Sequence, residues 1–150
     1  MRPFLTMLLM FGFALPGSVH AADGTFEEMD LFEAGKGGYA HYRIPGIVVT
    51  AKGTVLAYAE ARKHARSDWG TIDLVMRRGP EGGKTWEPVR KIAEPPTDAK
   101  RNPVAEAQKL GHEGEITLNN PVMIAEPSGP VHLLYCVEYG RCFVRHSQDD

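Results

Sequence analysis

Arg43, Glu60, Arg62, Asp68 and Asn120 are the side chains whose types and placement could do chemistry. Arginine presents a planar fork that meets a carboxylate with two parallel charge-assisted hydrogen bonds. A carboxyl group can hand a proton to a leaving oxygen. Arg43 stands at the head of an apolar run, and Asp68 ends a polar stretch, 63–67, from which it could swing over a pocket. Each also has a plainer reading. Arg43 could be a surface arginine at a strand start, and Asp68 an ordinary turn residue. Glu60 and Arg62 are two apart on one strand face, so an ion pair between them competes with a role at a ligand. Asn120 precedes Pro121, a pairing equally natural in a turn. The rival acid, Asp73, lies inside a strand-like run and reads as structural.

The elements that must position these residues are short strands. Strand-like runs fall at 28–33, 42–50, 54–62, 71–78, 85–92, 121–125, 131–138 and 141–146, separated by Gly, Pro and charged turns. Lys52-Gly53 reads as one hairpin turn and Glu138-Tyr139-Gly140-Arg141 as another. The stretch 94–115, with Pro95, Pro96 and Pro103, breaks this rhythm and reads as a long surface or active-site loop, with a short helix around 104–110. Even strand spacing with polar turns predicts an all-β sandwich, barrel or propeller. The runs divide into a set of four and a set of three. They fit one propeller blade of about 40–50 residues and most of a second, with 28–33 as a spare strand.

Arg2, the apolar run from Phe4 to Leu15 and the small residues before Ala21 read as a signal peptide over 1–21. Secretion or periplasmic export is therefore expected. The formal net charge of −2 is made of interspersed charges, so neither a nucleic-acid face nor a membrane-binding face is expected. An exported chain permits a disulfide. Cys136 and Cys142 lie near the second hairpin turn, and its register decides whether they meet. No Cys/His spacing matches a zinc site, and neither a metal nor a cofactor is expected.

Two motifs then give a resemblance. Tyr42-Arg43-Ile44-Pro45 resembles the Arg-Ile-Pro motif of bacterial exo-α-sialidases. Gly79-Pro80-Glu81-Gly82-Gly83-Lys84-Thr85-Trp86 is similar to their Asp-box, S-x-D-x-G-x-T-W, with Gly79 in place of Ser and Glu81 in place of Asp. Ala59-Glu60-Ala61-Arg62 and Asp68 fall between them in the family's order. Ser147-Gln148-Asp149-Asp150 looks like the start of a second box. The resemblance covers nearly all of 22–150.

It implies an all-β, six-bladed propeller of which this chain covers about the first two blades. Residues 22–150 would be an incomplete N-terminal part, inactive when alone. It also implies an exo-α-sialidase that hydrolyses terminal sialic acid from glycoconjugates with retention. Arg43 would bind the substrate carboxylate and Asp68 would be the acid/base. Arg62 and Asn120 would line the pocket, with Glu60 supporting from behind. The tyrosine nucleophile and the other two arginines would lie beyond this chain. A trans-sialidase, or a non-catalytic carbohydrate-binding Asp-box propeller, fits the same residues.

Overall fold

The computed structural model describes residues 26–64 and 67–148. The signal peptide expected at 1–21, and the last two residues of the stretch 147–150 expected to begin a second box, lie outside them. Two antiparallel sheets are present. The first has four strands in chain order: β1 (His41–Val49), β2 (Val55–Arg62), β3 (Ile72–Gly79) and the two-residue β4 (Arg90–Lys91). The second has β5 (Leu118–Ala125), β6 (Val131–Val137) and β7 (Arg141–Ser147).

Strand alternation decides what each face carries. On β2, Leu56, Tyr58, Glu60 and Arg62 share one face, and Val55, Ala57, Ala59 and Ala61 the other; all eight residues are buried. The larger face meets the second sheet. Leu56, Tyr58 and Met76 pack with Val131, and Leu74 packs with Leu118, Leu133, Tyr135 and Val137. The Tyr58 hydroxyl reaches across this core and accepts the Met123 amide at 3.0 Å. The small alanines of the other face lie under the chain preceding β1. There Tyr39 donates to Asp73 Oδ2 at 2.7 Å, and Arg77 donates to the Leu31 carbonyl at 3.3 Å.

The two sheets begin alike. In β1 the register slips between Arg43 and Gly46, with Ile44 at φ 52° before Pro45. In β5 it slips between Asn119 and Val122, with Asn120 at φ 55° before Pro121. A bulge admits a proline because its missing N–H falls where the ladder is already interrupted. The turns that follow match as well. Thr50 N–H bonds to Thr54 O and Gly53 N–H to Thr50 O; Glu126 N–H bonds to Pro130 O and Gly129 N–H to Glu126 O. Residues 43–54 thus recur as 119–130 without a gap.

Four expectations are corrected. Residues 28–33 form no strand; Leu31 and Phe32 pack against the first sheet without joining its ladder. Of 85–92 only Arg90–Lys91 forms a strand, with isolated bonds from Glu87 N–H to Arg78 O and from Ile92 N–H to Leu74 O, since Pro88 lacks an N–H and Trp86 turns back over the preceding loop. β5 starts at Leu118, three residues before Pro121, because the bulge carries the strand through the proline. The short helix is α1 (Pro103–Ala107), capped by the Asn102 side chain accepting Val104 N–H at 2.9 Å.

The turn between β3 and β4 is held without Ser or Asp side chains. Gly82 N–H bonds to Gly53 O at 3.2 Å, and the half-buried Trp86 ring covers Gly79 and Gly83. A Cβ on Gly79 would stand 2.9 Å from Gly83 Cα and 3.1 Å from the ring. The departure from the box serine therefore fits the packing. Cys136 and Cys142 are cross-strand partners with sulfurs 3.0 Å apart, and both are free thiols.

Candidate active site

The β1–β2 register sets Arg43 opposite Glu60 and His41 opposite Arg62. The Arg43, Glu60 and Arg62 side chains therefore converge at one end of the sheet. Asp68 comes from the loop between β2 and β3, closed by Lys63 N–H bonding to Thr71 O. Its Oδ1 accepts from Arg43 Nη1 at 2.8 Å and from Arg62 Nη1 at 2.5 Å. Arg43 and Asp68 are 51% and 58% exposed, whereas Arg62 and Glu60 are 3% and 1% exposed. The cluster thus has an open outer pair and a buried inner pair.

The inner pair fixes the outer one. Arg62 donates Nε and Nη2 to Glu60 Oε2, at 3.1 and 2.5 Å, and Nη1 also reaches the Ser67 carbonyl at 3.2 Å. The other Glu60 oxygen accepts the Asn120 amide at 2.8 Å. A buried ion pair holds only if its remaining lone pairs and protons are also satisfied, and here the second sheet supplies that contact. Asn120 is brought to the cluster by its backbone, with its side chain exposed. Arg62 meets the surface through Asp68.

Hydrogen bonding from Arg62, outweighing burial, holds the Asp68 carboxyl below the ordinary carboxylate range, and the charges of Arg62, Arg43 and His41 add to this. The resting carboxylate is ionised. Asp73 is differently placed: it is buried on β3, bonded by Tyr39 and paired with Lys91 Nζ at 3.0 Å.

Tyr139, in the turn between β6 and β7, also stands beside Asp68. Its hydroxyl donates to the Asp68 carbonyl at 3.0 Å, and its ring packs on Trp69 with centroids 4.7 Å apart. Burial, then the carboxylates of Glu60 and Asp68, raise its phenol above the ordinary value. Glu138, itself buried, accepts the amides of Asn102 and Thr117 at 2.8 and 2.7 Å and ties the long loop to this turn. Asn119 is fully buried at the β5 bulge, and its side-chain amide faces the Tyr139 hydroxyl. None of these three was singled out as a site residue from sequence. The signal for Asn119 was its match to Arg43 in the repeated strand start.

An exo-α-sialidase of Aspergillus fumigatus is 38% identical over 61 residues, which is 37% of this chain and 15% of that protein. A sialidase of Bacteroides fragilis is 41% identical over 58 residues, 38% of this chain and 11% of that protein. The chain is related to the sialidases. The matched part spans a small fraction of these relatives' length. A solved structure of a Hadza microbial sialidase superposes on 69% of this chain and 19% of its own, with a TM-score of 0.54 at 24% identity, a likeness of fold. No family model matches the chain. Sialidase relationship and two antiparallel sheets therefore stand together.

Proposed function

We propose that this chain carries the carboxylate-binding and proton-donating side of an exo-α-sialidase site, built on successive blades of a propeller. The observation that carries the reading is Asp68: an exposed carboxylate shared by an exposed arginine and a buried one. A sialic acid bears a carboxylate on its anomeric carbon. On binding it competes for the Arg43 fork and takes one cation from Asp68. The incoming negative charge and the lost partner both raise the Asp68 pKa. Asp68 can then hold a proton and deliver it to the leaving oxygen. Arg62, locked by Glu60, keeps the acid in place throughout and acts as a positioning residue.

Retention calls for a nucleophile. A tyrosine suits an anionic substrate, since a carboxylate would be repelled by the substrate's own charge. Four of the five tyrosines here have committed hydroxyls: Tyr39 to Asp73, Tyr42 to the Lys36 carbonyl, Tyr58 to Met123 and Tyr139 to Asp68. Tyr135 is buried in the inter-sheet core. None of the motifs that match the sialidase pattern in this sequence carries the family's nucleophilic tyrosine. The propeller reading draws on the repeated strand start and on an exposed apolar stripe, Val122, Leu134 and Val144, which pair in register across the outer face of the second sheet. A further sheet would stack there. Export through the leader at 1–21 agrees with glycoconjugate substrates outside the cell.

The test is kinetic. Asp68→Ala should slow an alkyl sialoside, whose leaving group needs the proton, more than an activated aryl sialoside, which does not. Equal losses on both would make Asp68 a structural residue and defeat the assignment. Product analysis with a sugar acceptor present separates hydrolysis from transfer.

A further inference from the structure

Apart from the carboxylate cluster, three ligand-type side chains converge from two loops distant in sequence, His64 from the loop that carries Asp68 and His112 and Glu115 from the loop before β5. The donor atoms of His64, His112 and Glu115 all lie within 4.8 Å of one another. His64 Nε2 is 2.8 Å from Glu115 Oε1, and the two imidazole rings stand 5.1 Å apart, edge to face. We propose that His64, His112 and Glu115 form a binding site for a divalent transition metal ion of the zinc type, which fastens the loop carrying Asp68 to the long loop before β5.

The donors suit such an ion. Two imidazoles and one carboxylate match zinc-like metals, whereas calcium and magnesium call for oxygen ligands throughout. Bonds of about 2.1 Å put tetrahedral donors about 3.4 Å apart, so small side-chain rotations close the set on one ion. The exposed side of the cluster leaves the fourth position to water. The metal takes the place of the proton between His64 Nε2 and Glu115, and His64 keeps its proton on Nδ1.

The surroundings are built for this convergence. Thr71 Oγ1 donates to Glu115 Oε1 at 3.1 Å, and the His112 amide donates to Oε2 at 3.1 Å, so the carboxylate is oriented from behind as ligating carboxylates are. Gly70 lies directly beneath. A Cβ there would stand 2.9 Å from Glu115 Oε2 and 3.4 Å from the His64 ring, and its φ of 119° is open to glycine. The loops are joined underneath by Thr117, whose hydroxyl accepts Gly70 N–H at 3.0 Å and donates to Gly70 O at 2.8 Å. His64 and His112 are too far apart in sequence to read as a spaced motif, so only the meeting of the two loops reveals the set.

Zinc titrated calorimetrically into the metal-stripped protein should bind one to one, and calcium should give no heat. His112→Ala is the cleanest variant, because the His112 ring meets His64 edge to face while its backbone amide, which the substitution keeps, makes the hydrogen bond to Glu115. It should weaken zinc at least about 100-fold, and Thr71→Val should weaken it about tenfold. His146→Ala, in the second sheet, should leave affinity unchanged. Cobalt as a spectroscopic substitute should show visible d–d absorption that disappears in His112→Ala, with circular dichroism checking that the variant is folded. Absence of zinc binding, or affinity unaltered by His112→Ala, would overturn the site. Equal weakening by His146→Ala would also overturn it, since the ion would then be held elsewhere or nonspecifically.

Discussion

At the residue scale, the outer and inner halves of the cluster do different work. Arg43 and Asp68 are exposed and free to exchange partners, while Glu60 and Arg62 are buried and fixed. The low Asp68 pKa gives a pH signature. A carboxylate whose folded pKa is depressed contributes stability that is fully present above its unfolded value, 3.8, and lost as pH falls through the folded value. Asp68→Asn should therefore cost stability near pH 6 and progressively less below about pH 4. Denaturant titrations of both proteins across that range check this, and a constant offset would mean that the ion pair contributes nothing. Much of the cluster was legible in the sequence. Glu60 and Arg62 two apart on a strand dictate a shared face, and the resemblance of Arg43-Ile44-Pro45 to a known motif at a strand start singled out Arg43. The contact between Glu60 and the Asn120 amide was not legible, because it depends on how two sheets pack, as does the approach of Tyr139.

At the element scale, β1 is set by its bulge. Gly46 follows Pro45, and a Cβ on it would stand 2.2 Å from the Tyr58 ring. Gly46→Ala should therefore push β1 off β2 and destabilise the protein by about 1–3 kcal/mol, in the range of overpacked cores. Sialoside turnover should fall with it, since Arg43 rides on the displaced strand. An unchanged melting temperature would show that the Tyr58 ring has room to yield. Strand identity was legible where a short strand-like run is bounded by turn residues, as in β2, β6 and β7. It failed at 28–33, whose apolar side chains pack on a sheet face without ladder partners, and at 85–92, where Pro88 and the folded-back Trp86 leave two residues to pair. Alternation alone cannot separate a residue that covers a sheet from one that joins it.

At the scale of the whole molecule, the site depends on two sheets held in fixed relation. The Tyr58 hydroxyl, accepting the Met123 amide at 3.0 Å, is one of the polar contacts between them. Tyr58→Phe removes the acceptor and leaves a part-buried N–H unpaired, at a cost of about 1–3 kcal/mol. Equilibrium unfolding should show the loss as a lower midpoint at constant slope, whereas a second transition would mean that the sheets unfold separately. In the proposed sialidase site, the Asp68 arrangement serves a substrate carboxylate only if Arg43 binds it. The most direct test is the release of sialic acid from an aryl sialoside by the full-length protein, with the remaining catalytic residues in place, and by its Arg43→Ala variant. Removing one partner of a desolvated charge pair costs about 2–5 kcal/mol, so kcat/KM should fall by roughly two to three decades. Release by Arg43→Ala within about a factor of two of the otherwise unaltered full-length protein, or none by the unaltered full-length protein, would contradict the account.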